Sequence, residues 1–235
     1  LQFSVKASIP NFITLLNLFS GCIAVIYALE GDMKRTALFV CIGIFFDFFD
    51  GFFARKLQIQ SELGVQLDSL ADMVTSGLVP GLVLFHLLGL VPQPSWGSES
   101  ILPYFGLLVT LASAYRLAKF NISDNQSDSF IGLPTPANTL WIIALPLILE
   151  YQNSEMTEAV ILNPWFLITI TIMSCYLLNA PIKLLALKFK NWSFQDNMFR
   201  YILIISSLII LILFQFSGIP LVIISYIALS LVSNK

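Results

Sequence analysis

The sequence predicts an all-helical, polytopic membrane bundle of about eight spans, and three observations carry that expectation. Hydrophobic side chains make up 57% of the 235 residues and charged ones only 11%, whereas a soluble domain carries about 25% charge to hydrate its surface. The mean hydropathy is +0.84. The apolar residues also gather into runs near the length of about 20 residues that a helix needs to cross the hydrocarbon core. An ordinary water-soluble globule is excluded. With 12 basic and 14 acidic residues, a net charge of −2 and no run of Lys or Arg, a basic nucleic-acid binder is excluded as well.

The first span is expected over residues 11–29. It is too long for a signal-peptide core and no small-residue cleavage site follows it, so it is expected to remain as a transmembrane helix. A start at Leu1 rather than Met leaves room for residues ahead of it. Further spans are expected over 35–56, 64–90, 101–120, 135–150, 160–179, 199–215 and 218–233. Ser217, Gly218 and Pro220 separate the last two and read as the turn of a tight helical hairpin. One long kinked helix there would instead lower the count by one.

Basic residues prefer cytoplasmic loops. Eight spans with both termini inside place Lys6, Arg55, Lys56, Arg116, Lys119, Lys183, Lys188, Lys190, Arg200 and Lys235 on the inner side, against Lys34 and Arg35 outside. Glu150, Glu155 and Glu158 make one outer loop acidic, and the loop 91–100 has no basic residue. Trp96 and Trp165 then fall near outer boundaries and Trp192 near an inner one, as interfacial anchors do. Lys183, Lys188 and Lys190 suit attraction to anionic headgroups. No repeat, low-complexity tract or long linker divides the chain, so residues 1–235 are expected to form a single integral membrane domain.

Cys22, Cys41 and Cys175 lie in apolar stretches without metal-like spacing and read as fillers. His86, the only histidine, reads as a packed neutral imidazole. The acids are more informative. Asp47, Asp50, Asp68 and Asp72 fall in or beside strongly apolar sequence, where a carboxylate is costly unless paired, metal-bound or functional. On a helix, Asp47 and Asp50 are about 60° apart around the axis and about 4.5 Å along it, and Asp68 and Asp72 about 40° apart and about 6 Å along. Each pair shares a face. The turn over 56–63 makes the two helices antiparallel neighbours that present four carboxylates to one another.

Four bare carboxylates that close repel, and a divalent cation resolves the conflict. An all-oxygen donor set selects Mg²⁺ or Mn²⁺ over zinc. Gly51 leaves the helix surface bare for a ligand or a second helix, Ala54 keeps it shallow one turn on, and Arg55 adds a cation suited to phosphate oxygens. Together these describe a pyrophosphate site. The alternative is a pair of helices held together by carboxylates bonded to Ser, Thr or Arg neighbours.

Asp47-Phe48-Phe49-Asp50-Gly51-Phe52-Phe53-Ala54-Arg55, then eight residues to Gly64, three to Asp68 and three to Asp72, resembles the complete signature of the CDP-alcohol phosphatidyltransferases. That resemblance implies a six-helix membrane core, usually dimeric, acting on a CDP-linked lipid at the cytoplasmic face. It implies Asp47, Asp50 and Asp68 as ligands of a divalent metal and Asp72 as general base, with Asp72 completing the acidic metal-facing set. It implies Gly51 and Ala54 in the cytidine pocket, Gly64 beside it and Arg55 near the diphosphate.

Three further stretches are similar to one branch, the bacterial-type phosphatidylserine synthases: Ile9-Pro10-Asn11-Phe12-Ile13-Thr14, Arg116-Leu117-Ala118-Lys119-Phe120-Asn121 and Phe130-Ile131-Gly132-Leu133-Pro134-Thr135-Pro136-Ala137. The likeness runs from Ile9 to about Lys190, so 1–190 is expected to be the family core and 191–235 an added hairpin. It implies CDP-diacylglycerol and L-serine as substrates, a homodimer in the lipid bilayer, and the inner membrane of a prokaryote with the site facing the cytoplasm. Asn11 and Thr14 suit a nucleotide contact, although Pro10 and Asn11 equally suit the first turn and cap of a helix. Arg116, Lys119 and Asn121 suit an acceptor carboxylate or a lipid phosphate, although the two cations equally suit positive-inside anchors. Gly132, Pro134 and Pro136 suit a tight loop. Other acceptors, glycerol 3-phosphate or an inositol phosphate, remain open, as do a transporter with intramembrane carboxylates and an intramembrane prenyltransferase.

Overall fold

The computed structural model of the protein describes residues 5–56, 61–91, 101–122, 130–185 and 193–233. In order they form α1 (Val5–Glu30), α2 (Met33–Lys56), α3 (Glu62–Asp72), a π-helical turn (Met73–Leu78), α4 (Val79–Leu90), a 3-10 segment (Leu102–Leu107), α5 (Leu108–Asn121), β1 (Phe130–Ile131), α6 (Thr135–Tyr151), α7 (Glu155–Ile161), α8 (Pro164–Asn179), β2 (Lys183–Leu184) and α9 (Phe194–Ser233). Among the described residues, four helices are long and apolar enough to cross a membrane: Ile9–Glu30, Met33–Lys56, Glu62–Leu90 and Asn197–Ser233. The pair Glu155–Ile161 and Pro164–Asn179, bent by 57°, makes a fifth candidate.

Several boundaries differ from the sequence reading for local reasons. Helix α1 begins before Asn11, so Pro10 lies inside it rather than opening it. The run expected over 160–179 is split, because Asn163 caps a new helix at Pro164 with Oδ1 accepting from Trp165 N at 2.9 Å and Phe166 N at 3.4 Å. The run over 101–120 starts as a 3-10 segment. Its Gly106 lies so close to α4 that a Cβ there would meet Phe85 N at 2.5 Å.

Within α9 the backbone breaks at Gln215, with φ 49°. A Cβ on Gly218 would lie 2.8 Å from the Ile210 carbonyl oxygen, whereas a straight helix separates residues eight apart by about 12 Å. The chain therefore folds back on itself, as the hairpin reading expects, but the break precedes Ser217 and leaves Pro220 in the second arm. Gln152 clamps this turn: its Nε2 donates to Phe214 O at 3.0 Å and its Oε1 accepts from Ser217 N at 2.8 Å. Among the described residues, the all-helical expectation is amended only by an antiparallel pair of two-residue strands, Phe130 opposite Leu184 and Ile131 opposite Lys183. Gly132 lets the chain bend directly after β1. Its φ is +76° and a Cβ would strike Leu178 O at the end of α8.

The core lies along α4, α6 and α8, with Val83, Leu84, Leu87, Ile142, Ile143 and Leu167 fully buried. Outward, Phe12, Phe19, Phe45, Phe48, Ile172, Tyr176, Ile212 and Leu213 are exposed, an apolar surface that suits hydrocarbon rather than water. Helices α1 and α2 close around the π turn through Gly21 and Gly43, both of which face Thr75, a small-residue contact of the kind that brings membrane helices together. Cys22 and Cys41 are exposed and Cys175 is half-buried, all three free, as fillers would be.

Helix ends sort into two layers. In one, Lys34 Nζ pairs with Glu150 Oε1 at 2.6 Å, His86 lies against Gly31 at the end of α1, and Gln152 holds the α9 turn. The other layer gathers the end of α2, the start of α3 and the ends of α5 and α8. Trp165 is exposed at the start of α8. Trp96, Trp192, Lys188, Lys190, Lys235 and the loop 92–100 lie outside the described residues.

Candidate active site

The four aspartates come from the facing ends of α2 and α3. Ser61 fixes where α3 begins, its Oγ accepting from Gly64 N at 3.0 Å, and Glu62 in the first turn complements the helix dipole. That start places Asp68 opposite Asp47 and Asp50. One carboxylate oxygen from each of these three lies within 4.8 Å of the others. Thr14 of α1 donates its hydroxyl to Asp50 Oδ2 at 2.6 Å and lies 3.0 Å from Pro10 O. Asp72 stands one turn deeper, outside this triad, where Asn17 Nδ2 donates to its Oδ1 at 3.4 Å. It is near enough to Arg116 for the opposite charges to attract.

The triad fits a divalent cation on its own chemistry. Among the described residues no Lys or Arg forms a salt bridge with any of the four aspartates, and Asp68 Oδ1 is buried without a hydrogen-bond partner. A buried carboxylate oxygen left unpaired is expensive, and a hard cation with oxygen ligands relieves that cost. The structure offers Asp47, Asp50 and Asp68 to such an ion together, while Asp72 stands outside that triad, near enough to Asp47 for the two charges to repel.

A cavity of about 360 Å³ opens beside the triad. Helix α1 lines it with Asn11 and Thr14, α2 with Asp50, Gly51, Ala54 and Arg55, and the start of α3 with Ser61, Gly64 and Asp68. All six positions expected around the nucleotide and diphosphate are thus brought into one wall. Gly51 is bare, as expected, but what lies over it is the guanidinium of Arg55, whose Nη1 would be 3.2 Å from a Cβ there, rather than a second helix. Gly64 gives room for Asn11, whose Oδ1 would be 3.2 Å from a Cβ at that position.

Arg116 and Lys119 line a separate cavity of about 190 Å³, which shares Phe120 with the first. Asn121 lines neither. It accepts from Ser69 Oγ at 3.0 Å and donates to Gln66 Oε1 at 3.2 Å, tying the end of α5 to α3. Gly132, Pro134 and Pro136 form the loop and first turn that open α6, with Gly132 N donating to Ile182 O at 2.9 Å and Leu133 N to Leu177 O at 2.8 Å.

The sequence reading passed over Asn17, Ser61, Phe120 and Asn179. Two of these carried a signal. Asn11, Thr14, Asn17 and Ser20 recur every third residue along an otherwise apolar helix, which marks a polar stripe with somewhere to point. Ser61 just before Glu62 is a helix-start pattern. Phe120 and Asn179 carried none, because only the fold brings the ends of α5 and α8 together.

Comparison with known proteins places the chain. The CDP-alcohol phosphatidyltransferase family model matches residues 7–189, which contain every residue of the site, while the whole of α9 lies beyond the match. The chain is 35% identical over 141 residues to a CDP-diacylglycerol–serine O-phosphatidyltransferase of Bacillus subtilis, covering 58% of this chain and 74% of that enzyme. It is 29% identical over 204 residues to the Helicobacter pylori enzyme of the same name, covering 85% and 80%. An archaetidylserine synthase of Methanothermobacter thermautotrophicus is 26% identical over 158 residues, covering 66% and 64%. With the aspartate signature intact and clustered as described, the chain belongs to the CDP-alcohol phosphatidyltransferase family.

Proposed function

We propose that the protein transfers the phosphatidyl group of CDP-diacylglycerol to the hydroxyl of L-serine, giving phosphatidylserine and CMP. The observation that carries the transferase chemistry is the Asp47, Asp50 and Asp68 triad opening onto a cavity lined by Thr14, Gly51 and Arg55. Serine as acceptor is supported by the names of the relatives at 29–35% identity. In this reading the serine oxygen forms a bond to the phosphorus that carries diacylglycerol, the bond from that phosphorus to the CMP oxygen breaks, and Asp72 accepts the hydroxyl proton.

Asp47, Asp50 and Asp68 would hold divalent metal, Mg²⁺ or Mn²⁺, which when bound supplies charge neutralisation to the diphosphate and to the departing CMP. Arg55 orients the diphosphate from the rim of the cavity. Asn11, Thr14, Gly51, Ala54 and Gly64 shape the nucleotide wall. Asn17 donates to the Asp72 carboxylate and holds it in place, and the apolar helices around it exclude bulk water.

The proposed topology has eight spans, with both termini and the active site cytoplasmic, in the inner membrane of a prokaryote. It is supported by the ten-to-two division of basic residues and by the two layers of helix ends, in which the start of α1 lies with the triad. The proposed division is a core over 1–190 with an added hairpin over 191–235, and the proposed assembly is a homodimer. The acceptor is tested by giving purified protein CDP-diacylglycerol with serine, glycerol 3-phosphate and inositol phosphate in competition. Phosphatidylserine as the main product is expected. Preferential use of either phosphate-bearing alcohol overturns serine and leaves the transferase chemistry standing.

A further inference from the structure

The cavity of about 190 Å³ between the ends of α5 and α8 has two unlike walls. On the α5 side are Arg116 and Lys119. Arg116 is only 9% exposed, and its Nε is buried without a hydrogen-bond partner. On the other side are Leu178, Asn179 and Pro181, where the sixteen-residue α8 ends. A helix C-terminus carries about half a unit of negative charge and favours cations. Among the described residues, no Asp or Glu lines the cavity.

Asn179 adds a specific group to that negative wall. Its Nδ2 is engaged twice, donating to Ala112 O at 3.1 Å and to Cys175 O at 3.4 Å. Those bonds set the plane of the amide and leave Oδ1 buried with no hydrogen-bond partner. The cavity thus opposes a buried cation to a wall whose unsatisfied polar atom is an acceptor. A phosphate-bearing alcohol would use the first and gain nothing from the second, whereas an amino acid zwitterion matches both.

We infer that this cavity takes the acceptor as a zwitterion, with Arg116 holding its carboxylate and the Asn179 amide oxygen, backed by the end of α8, selecting its ammonium group. The inference rests on serine being the acceptor and adds the residue that discriminates an amino alcohol acid from acceptors without an amine. The shared wall at Phe120 sets this cavity beside the diphosphate cavity, and the attraction between Arg116 and Asp72 puts the carboxylate anchor near the proposed base.

Three hydroxyl compounds test it in the detergent-purified, metal-supplemented enzyme: L-serine, 3-hydroxypropionate, which lacks the ammonium, and ethanolamine, which lacks the carboxylate. Inhibition constants for the two analogues are compared with the KM for serine in the same preparation. The wild-type protein is expected to favour serine over each by at least about 10-fold, a difference of about 1.4 kcal/mol. Asn179→Leu is expected to reduce the advantage over 3-hydroxypropionate to within about 2-fold, while the advantage over ethanolamine and the KM for CDP-diacylglycerol stay put. Because each ratio is taken within one protein, general damage cancels. Should Asn179→Leu fail to fold, Asn179→Asp keeps an oxygen on that wall and is expected to preserve or widen the preference for the ammonium-bearing compound. A preference for serine that survives Asn179→Leu, or that collapses in Asn179→Asp, overturns the inference alone. A wild-type enzyme that ignores serine but releases CMP with another alcohol overturns the acceptor reading and this inference with it.

Discussion

The Thr14 hydroxyl donates to Asp50 Oδ2 at 2.6 Å, across 36 residues of sequence, and ties the first helix to one corner of the acidic triad. Asp50 is 5% exposed, so few donors other than Thr14 can reach it. Hydrogen bonds to a charged group contribute about 1.5–3 kcal/mol. Thr14→Val keeps the shape and removes the donor, and is expected to raise the divalent-metal concentration needed for half-maximal activity by about 10-fold or more. A metal titration of activity checks it. An unchanged requirement would mean that the helices alone hold Asp50 in place.

The place of Asp72 outside the triad predicts a split between binding and turnover. Asp72→Asn keeps the volume and the contact with Asn17 but cannot take a proton at neutral pH, so turnover is expected to vanish while CDP-lipid binding persists. Asp50→Asn should instead weaken metal and nucleotide binding. Binding measured by calorimetry beside a CMP-release assay separates the two. Near-normal turnover in Asp72→Asn would remove it as the base.

Packing around the π turn gives a prediction on stability. A Cβ on Gly43 would lie 2.6 Å from Thr75 Cγ2 and 2.9 Å from Asn17 Oδ1. Gly43→Ala is therefore expected to cost about 1–3 kcal/mol, the usual range for overpacking, and Thr75→Ser, which removes Cγ2, should recover part of it. Thermal unfolding in detergent for the single and double variants reads this out. Full stability in Gly43→Ala would show that α1 and α2 can separate without penalty.

Much of this site was legible before the fold. Asp47 and Asp50 share a face because they are three residues apart, and the antiparallel α3 brings Asp68 to that face; Gly51, Ala54 and Arg55 follow on the same helix, whereas Gly64 is expected from the family resemblance alone. What sequence could not place depends on contacts between distant segments. Asn121 resembles a site residue in its motif, yet it ties α5 to α3, and Asn179 becomes relevant only because α8 ends against α5. Helix boundaries failed where local chemistry overrode hydropathy, as at Asn163 and Pro164, where a cap and a proline divide one apolar run. The reversal at Gln215 was foreseen as a hairpin but misplaced, since its position is set by the Gln152 clamp, 62 residues away from Phe214 in sequence.

The two layers of helix ends make a prediction about topology. Reporter tags at the N- and C-termini are expected on the cytoplasmic side, with a tag in the loop 92–100 on the opposite side. Termini on opposite sides would mean that an odd number of segments crosses, and α9, folded at Gln215, is the first place to look.

The most direct test of the account is CMP release from CDP-diacylglycerol by the purified protein, measured with serine present as divalent metal is removed by chelation and then restored. Release is expected to fall to background on chelation, to return with Mg²⁺ or Mn²⁺, and to remain at background in Asp47→Asn, Asp50→Asn and Asp68→Asn. Undiminished CMP release in excess chelator would contradict the assignment of the aspartate triad as a metal-binding catalytic centre.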